Sequence, residues 1–339
     1  MNAHSRKASN AYPSAGEAGL EESLAALLKA AGDPLRLQVL RVLSNNAFGA
    51  LELSDIFAMR QNAMSHHLKL MSKAGLVSPR REGTHIFYRR NARPGQHWEL
   101  CEAIYNAADT IVLPADVARR FDDVQDSRAA ASRAFFRTNA GKFREQQDLI
   151  ASYPQYGEMV LATLDRYGPL GDKVVLEVGP GEGELLPGLS RRFGRVIALD
   201  NSAEMLTRAK TLAEQHQLAG IHFILGDTSS PQLQALRADA ITLNMVLHHT
   251  PAPAAIIRDL AVCLTDGGVL VVTELCNHDQ DWVREACGDL WLGFEPEELG
   301  RWALAAGLAE SGSEFLALKN GFSIQVRQFL KAPVGAGPH

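Results

Sequence analysis

The spacing of apolar residues changes along the chain and predicts two differently built domains. Between residues 20 and 112, apolar side chains recur at intervals of three and four, which is the pattern of short amphipathic helices. Met64, Leu68 and Met71 show it most clearly, and Gly75 follows them as a helix stop. From about residue 174, short apolar runs alternate with helical stretches, which is typical of a buried parallel sheet covered by helices.

The first domain, residues 20–112, is predicted to consist of three or four short helices followed by a hairpin. Asp33, followed by a proline, supplies a helix N-cap. Helices are predicted at 51–57 and 62–73, and the two runs that follow, 76–80 and 85–89, predict a β-hairpin. This order indicates an α+β winged helix-turn-helix domain, in which the fourth helix enters the major groove of DNA.

The second domain, residues 150–332, is predicted to be an open, Rossmann-like α/β sheet that binds ligands at the carboxyl ends of its strands. Its five buried parallel strands are expected at 174–178, 195–200, 221–227, 238–244 and 267–275. A helical linker or cap at 113–149 precedes the sheet. The polar start, residues 1–19, and the closing residues 333–339 are expected to be disordered tails.

The composition excludes several classes of protein. The 339 residues are 46% hydrophobic and 22% charged, which fits two globular domains. The sequence contains no run of 18 apolar residues and no secretory signal, so no membrane association is expected. Four scattered cysteines do not indicate a disulfide framework. The expected location is therefore the reducing cytoplasm.

The charge is distributed unevenly between the two domains. The net charge is −5, yet residues 21–91 contain ten Lys and Arg against six Asp and Glu, so this stretch carries +4 and the remainder −9. A basic domain joined to a larger acidic one has the charge layout of a DNA-binding head on a metabolite-handling body. A solvated basic surface without a partner has the same layout, and charge alone does not separate the two.

The basic domain resembles a known family of regulators. The sequence QNAMSHHLKLMSKAGLVSPRREGTHIFYRR at 61–90, preceded by AGDPLRLQVLRVL at 31–43, is similar to the ArsR-type winged-helix regulators. This resemblance implies a homodimer, joined by a helix at 95–112, that binds an inverted repeat in double-stranded DNA. The DNA-binding residues that it implies are Gln61, Asn62, Ser65, His66, His67 and Lys69 on the recognition helix, with Arg80, Arg81 and Arg89 on the wing.

Two features of this domain bear on metal binding. His66 and His67 also fit a solvated helix face, and a histidine pair can ligate a metal. Many ArsR-type regulators sense metals through cysteines on the third helix, but that region reads LELSDIFA here. The nearest cysteine, Cys101, stands alone in the following helix. We therefore expect no metal.

The first strand of the second domain runs into a glycine-rich loop, EVGPGEGE at 177–184. Glycines allow the backbone to approach a ligand closely. Gly179 and Gly181 satisfy the start of the dinucleotide fingerprint G-x-G-x-x-G, but its last position is occupied by Glu184. Alternate glycines behind an acidic residue resemble instead motif I of the class I methyltransferases, which use S-adenosylmethionine (SAM).

Further segments extend this resemblance over about residues 150–310. Asp200 ends the second strand, where the family's carboxylate accepts the ribose hydroxyls, and NMVLHHTPAP at 244–253 resembles the ubiquinone/menaquinone-biosynthesis methyltransferases. The implied ligand is SAM or S-adenosylhomocysteine (SAH). The cofactor-binding residues implied are Glu177, Gly179, Gly181, Gly183, Asp200, Asn201, Gly226, Asp227 and Asn244. Taken alone, Asp200 also fits a helix cap, and Glu177 fits an ordinary charge at a strand end.

The sequence identifies no catalytic residue. The candidates that follow the fourth and fifth strands, where substrate is expected, are His248, His249, His278 and Asp279. His248 and His249 fit a structural feature of their loop as well as a general base. Cys276 and Cys287 match no metal-site spacing. The acidic helical stretch 278–299 fits a lid, a substrate pocket or simple packing.

An ArsR-type head followed by a methyltransferase-like body resembles a fused group of bacterial regulators, some of them thought to respond to SAH or SAM and to govern methionine-cycle genes. The resemblance implies a transcriptional repressor whose body binds the adenosyl ligand as an effector that changes DNA affinity. The alternative is a catalytically active SAM-dependent methyltransferase of small molecules with an accessory winged helix. A third reading has both functions active.

Overall fold

The computed structural model of the chain describes residues 15–82, 85–91, 95–139, 141 and 143–333. They form two compact units. The first runs to Ala118 without the segment Arg81–His85, and the second contains that segment and everything from Arg119 onward. Helix α1 begins at Ala15, inside the stretch that the sequence assigns to a tail, while residues 1–14 and 334–339 lie outside the described residues.

The described part of the first unit contains five helices and a small sheet. Its helices are α1 (Ala15–Ala31), α2 (Pro34–Val42), α3 (Ala50–Ile56), α4 (Gln61–Lys73) and α5 (Trp98–Asp109), with a 3-10 turn at Gly95–His97 before the last. Its sheet has the strand order β1-β3-β2, with β1 (Phe48–Gly49), β2 (Val77–Glu82) and β3 (His85–Arg90), of which Arg81, Glu82 and His85 are grouped with the second unit. This arrangement confirms the predicted winged helix-turn-helix, although strand β1 was not predicted.

Local sequence signals account for the boundaries of the first unit. The Asp33 carboxylate accepts a hydrogen bond from the backbone N–H of Arg36 at 3.0 Å and caps α2 as predicted. Met64 and Met71 on α4 are completely buried, and the helix ends before Gly75, whose φ of 78° lies in the left-handed region that favours glycine. Periodicity and capping thus fix the orientation of α4, the predicted recognition helix.

The second unit contains a seven-stranded sheet covered by helices. Its helices are α6 (Ala115–Asn139, which begins in the first unit), α7 (Phe143–Ile150), α8 (Tyr153–Asp165), α9 (Leu186–Ser190), α10 (Ala203–Gln215), α11 (Pro231–Gln234), α12 (Pro253–Cys263), α13 (Trp282–Cys287) and α14 (Pro296–Ala305). Its strands are β4 (Val174–Val178), β5 (Arg195–Asp200), β6 (Ile221–Leu225), β7 (Ala238–Asn244), β8 (Leu264–Leu275), β9 (Leu308–Ala317) and β10 (Ser323–Lys331).

The strand order is β6-β5-β4-β7-β8-β10-β9. Strands β4 to β8 are parallel to one another, whereas β10 runs antiparallel to both β8 and β9. The predicted Rossmann-like sheet is confirmed, and the five predicted strands correspond to β4 through β8. In the register, Val178 lies opposite Leu199 on one side and Leu243 on the other, so these three strands end level with one another.

The antiparallel pair β9-β10 was not predicted, because its sequence does not read as a buried strand. Arg327 in the middle of β10 is only 4% exposed. Its guanidinium donates to Glu310 on β9 at 3.0 and 2.6 Å, which compensates the charge inside the sheet. Within the described residues, no helix is both long enough and apolar enough to cross a membrane.

Candidate adenosyl pocket and nucleic-acid interface

The glycine-rich loop after β4 adopts the backbone conformations that its glycines permit. Gly179, Gly181 and Gly183 have φ values of 66°, 57° and 92°. A Cβ atom on Gly179 would lie 2.5 Å from Val246, and one on Gly183 would lie 3.1 Å from Ala209, so these two glycines allow close packing. A Cβ atom on Gly181 would meet no atom within 4 Å, because this residue lines an open cavity.

Glu177, the acidic residue in front of this loop, is buried and hydrogen-bonded. Thr242, which lies opposite it on β7, donates its hydroxyl to the carboxyl group, and Asn244 donates Nδ2 to Oε1 at 3.2 Å. Burial raises the pKa of Glu177 to about 8, against the lowering effect of these two hydrogen bonds. Asn244 lines the same cavity, and its buried Oδ1 atom accepts no hydrogen bond from the described residues.

Asp200 stands at the end of β5, two residues beyond Ala198, which is the register partner of Glu177, and it lines the cavity together with Asn201. The backbone N–H of Ser202 donates to its Oδ1 at 2.8 Å, so the carboxylate is fixed by the turn into α10. Ser202, rather than Asp200, caps that helix through the N–H of Met205. Burial raises the pKa of Asp200 to about 6, against backbone hydrogen bonds that lower it.

Three of the predicted cofactor-binding residues do not line the cavity. Gly183 packs closely against Ala209, as described above. Gly226 and Asp227 follow β6, and Asp227 is exposed. Its Oδ1 accepts hydrogen bonds from the backbone N–H and the hydroxyl of Ser229 at 3.0 and 2.6 Å. Glu177, Gly179, Gly181, Asp200, Asn201 and Asn244 are the six that the structure brings together.

The other walls of the cavity come from residues that the sequence analysis did not assign. Helices α6 and α7 and the residues up to the first turn of α8 contribute Ala129, Ser132, Phe136, Arg144, Gln147, Asp148, Ala151, Tyr153 and Tyr156. Arg144 donates to Glu184 of the glycine-rich loop at 2.7 Å and so joins this wall to the loop. The cavity measures about 1210 Å³ with the space open to solvent included.

This cavity has the features that an adenosyl ligand requires. Asp200 can accept hydrogen bonds from the ribose hydroxyls, and the buried Oδ1 of Asn244 can accept one from an N–H donor of the ligand. Gly181 leaves room for close approach to the backbone, and apolar walls such as Phe136 and Met205 can cover the purine. The residues present therefore fit SAM or SAH.

The histidines and cysteines singled out in the sequence lie in and behind this site. His249 lines the cavity, where Gln147 Nε2 lies 3.1 Å from its Nε2, whereas His248 is completely buried behind it. Cys287 is buried and Cys276 is half-buried, and neither belongs to a disulfide. The ring of His278 packs edge to face on Phe322, with the ring centroids 4.8 Å apart.

In the first unit, helix α4 presents the predicted DNA-contacting side chains outside the stripe of its buried methionines. The side chains that it exposes fully or in part are Gln61, Asn62, Ser65, His66, His67 and Lys69. Asn and Gln amides can pair with adenine, and Lys can contact phosphate or guanine. The helix therefore has the composition of a surface that contacts base edges.

The hairpin carries two kinds of arginine. Arg81 is exposed, whereas Arg80 and Arg89 are half-buried, with Nε of Arg80 and both Nε and Nη1 of Arg89 buried. Arg90 is one of the ten basic residues counted at 21–91, but it is only 8% exposed and donates to both carboxylate oxygens of Asp109 at 2.7 and 3.0 Å. Arg90 thus joins the hairpin to α5. The turn residues 83–84 lie outside the described residues.

Comparisons with known proteins agree with this division of the chain. Residues 31–80 match the helix-turn-helix domain family, and residues 176–272 match the methyltransferase domain family. An uncharacterized methyltransferase of Mycobacterium tuberculosis is 34% identical over 135 residues, which cover 38% of this chain and 66% of that protein, slightly less than two thirds. A ubiquinone biosynthesis O-methyltransferase of Coxiella burnetii is 29% identical over 171 residues, which cover 46% of this chain and 73% of that protein.

Among solved structures, magnesium protoporphyrin IX methyltransferase from Synechocystis PCC 6803, determined with bound SAH, superimposes with a TM-score of 0.51. The superposition covers 60% of this chain and the whole of that protein, at 19% sequence identity. At this identity the similarity establishes the fold of the second unit and nothing further.

Proposed function

Because the chain joins a winged helix-turn-helix domain to a methyltransferase domain of class I fold, we propose that it is a DNA-binding transcriptional repressor whose methyltransferase domain binds SAH or SAM as an effector. It acts in the cytoplasm as a homodimer on an inverted-repeat operator, and its targets include methionine-cycle genes. The observation that carries this proposal is a formed adenosyl pocket in a chain that also presents a helix α4 suited to base contacts.

Different residues of the pocket contact different parts of the ligand. Asp200 accepts the ribose hydroxyls, and the carboxyl group of Glu177 positions the amide of Asn244 for the ligand. The backbone of the loop at Gly179 and Gly181 lies against the amino-acid portion. SAM supplies a sulfonium methyl group when bound and SAH does not. An effector site needs only to distinguish the two.

Helix α6 supplies a route for coupling ligand occupancy to DNA affinity. Its first four residues, Ala115–Ala118, belong to the first unit, and Ala129, Ser132 and Phe136 further along the same helix line the pocket. A ligand that contacts these residues biases the position of a helix that begins in the DNA-binding unit. Coupling between two sites requires such an element with more than one arrangement.

The carboxylates of the pocket are held by protein contacts, which favours binding over acid–base chemistry. Glu184 pairs with Arg144 at 2.7 Å, and Glu182 accepts a hydrogen bond from Arg208 at 2.9 Å. Glu177 is engaged by the side chains of β7 described above. Methyl transfer to an acidic acceptor requires a base beside it in addition to alignment with the sulfonium, and these carboxylates are already engaged.

A second candidate function is methyl transfer to a small molecule, with the winged helix as an accessory. Two observations favour it. The apolar wall of the cavity from α6 and α8, with Phe136, Tyr153 and Tyr156, can hold an aromatic acceptor. His249 also lines the cavity.

Calorimetric titration of the full chain tests the proposal. We expect SAH and SAM to bind with different affinities, and nicotinamide cofactors to give no heat. Repeating the titration with operator DNA should change the SAH affinity about 5- to 150-fold, because coupling between sites is reciprocal. Affinities that DNA leaves unchanged, together with turnover of labelled methyl groups in a cell extract, would favour the second candidate.

The role of Asp200 is tested by substitution. Asp200→Ala removes the acceptor for the ribose hydroxyls, and leaving buried donors unpaired costs about 1–3 kcal/mol. The affinity for SAH should therefore fall about 10- to 100-fold while the fold survives. Asp227→Ala is the matched control, because its carboxylate is exposed and bonded to Ser229. An equal loss in that variant would show that Asp227 contacts the ligand as the sequence implies.

Adenosyl binding should depend on pH through Asp200. Burial raises the pKa of this carboxyl group to about 6, so it is protonated below that pH and ionised above it. The ionised form is the stronger acceptor for hydroxyl groups. We therefore expect the affinity for SAH to rise between pH 5 and pH 7, by up to about tenfold for each pH unit below the pKa. Asp200→Asn should bind SAH weakly and flatten this profile; an unchanged profile would contradict the assignment.

A further inference from the structure

Three buried side chains beside the adenosyl pocket bring their donor atoms together. His248 and His249 precede α12, and Asp289 follows α13, and one donor atom from each lies within 4.8 Å of the others. Oδ1 of Asp289 lies 3.4 Å from Nδ1 of His249 and 4.0 Å from Nε2 of His248. Two ligands of a tetrahedral ion bound at about 2.1 Å are separated by roughly 3.4 Å.

The hydrogen bonding of the cluster is incomplete without a cation. Asp289 is 2% exposed, and neither of its carboxylate oxygens accepts a hydrogen bond from the described residues. Nε2 of the completely buried His248 also makes none within the described part of the chain. A buried carboxylate without a partner is costly, so it requires a positive charge nearby or a proton.

A second carboxylate orients the first histidine. Nδ1 of His248 lies 2.7 Å from Oε2 of Glu274, whose other oxygen accepts the backbone N–H of Leu247 at 2.6 Å. With the Nδ1 proton held by Glu274, the lone pair of His248 is on Nε2, the atom that faces Asp289. Metal-ligating histidines in proteins typically have this carboxylate partner.

Backbone hydrogen bonds hold the loop with the two histidines against the segment that follows Asp289. The carbonyl of His248 accepts hydrogen bonds from the N–H groups of Leu290 at 2.8 Å and Trp291 at 3.1 Å. These bonds fix the residues after Asp289 against the loop that carries both histidines. The donor set is therefore preorganised by the fold, as a metal site requires.

We propose that His248, His249 and Asp289 bind a divalent transition-metal ion, with Zn²⁺ as the first choice. Two imidazoles and one carboxylate suit first-row ions that prefer nitrogen and oxygen ligands. Because His249 also lines the adenosyl pocket, the ion lies beside the bound ligand. The site does not depend on the regulatory function proposed above, and it departs from the sequence-based expectation of no metal.

A proton is the competing occupant. Burial disfavours the imidazolium form of His248, but the carboxylates of Glu274 and Asp289 outweigh this effect and raise the pKa of His248 to about 9. A protonated His248 between two carboxylates accounts for the same residues without an ion. The experiment must therefore measure the metal itself.

The test uses the full chain, stripped of metal by a chelator and then titrated with Co²⁺ and Zn²⁺. We expect one ion per chain by elemental analysis, visible absorption bands from Co²⁺ without a thiolate charge-transfer band, and displacement of Co²⁺ by Zn²⁺. The nearly isosteric variant Asp289→Asn should lose the Co²⁺ bands, and Glu274→Gln should weaken Zn²⁺ affinity about 10- to 100-fold.

The matched control is His278→Gln, which removes a histidine outside the cluster and should bind Co²⁺ as the unmodified chain does. Circular dichroism and SAH titration establish that each variant is folded. Less than one tenth of an ion per chain after reconstitution would overturn the metal proposal in favour of the proton. Equal Co²⁺ binding by the folded Asp289→Asn variant would also overturn it.

Discussion

We expect the Gly181→Val variant to lose SAH binding by at least about 100-fold. Gly181 has a φ of 57°, and a Cβ atom built on it meets no protein atom within 4 Å because it points into the adenosyl pocket. The branched side chain of valine would therefore occupy the space where the loop meets the ligand. Steric exclusion from a close backbone approach is not relieved by small shifts of a packed loop. Calorimetric titration with SAH measures the loss.

The chain offers a control for the backbone strain of this substitution. Gly168 has a φ of 84°, and its Cβ position is equally open, but the residue does not line the pocket. Gly168→Val introduces a β-branched residue in the left-handed region and should leave SAH affinity within about twofold, since it lies outside the site. Wild-type affinity in a folded Gly181→Val variant would show that SAH does not bind at this loop.

The second large effect is expected at the wing. The double substitution Arg80→Ala and Arg81→Ala should weaken DNA binding about tenfold or more, on specific and random sequences alike, because the predicted role of these guanidinium groups is to contact phosphates. If each arginine neutralises one phosphate, the log–log slope of affinity against salt becomes less negative by about 1.8. Fluorescence anisotropy with duplexes at several salt concentrations measures both quantities.

Removing two arginines from the second unit controls for net charge. Arg195→Ala with Arg258→Ala deletes the same charge from exposed positions and should leave the salt slope unchanged. Gln61→Ala on α4 should instead relax sequence choice with a smaller loss of affinity, since an amide pairs with a base. A wing variant with an unaltered slope would contradict phosphate contacts by Arg80 and Arg81.

The sequence alone was sufficient to predict those elements whose spacing of apolar residues shows which side chains are buried. The stripe of Met64, Leu68 and Met71 predicts α4 because only one helix face carries apolar residues, and all three side chains are fully buried. Strands β4 to β8 were predicted because each contains a short run of apolar residues, as a parallel strand buried on both faces does. The position of Asp200 beside the glycine-rich loop could be predicted, because the carboxyl ends of neighbouring parallel strands meet at one edge of the sheet.

The remaining features depend on contacts between distant parts of the chain. From the sequence, Arg327 is expected at the surface, and only the structure shows that it is paired with Glu310. Arg90 is likewise expected on a basic surface, but it is paired with Asp109. Asp289 is 40 or more residues from the histidines that it approaches, so no spacing motif connects them. The helical wall with Phe136 was predicted as a linker or cap, but its pattern did not show that it lines the pocket.

Operator binding followed by fluorescence anisotropy, with and without a saturating adenosyl ligand, tests the central claim most directly. We predict that SAH displaces the DNA-binding curve by about 5-fold or more, that SAM displaces it by a different amount, and that Gly181→Val abolishes both displacements while retaining DNA binding. The contradictory result is a DNA curve that neither ligand moves, combined with methylation of a metabolite at ordinary enzymatic rates.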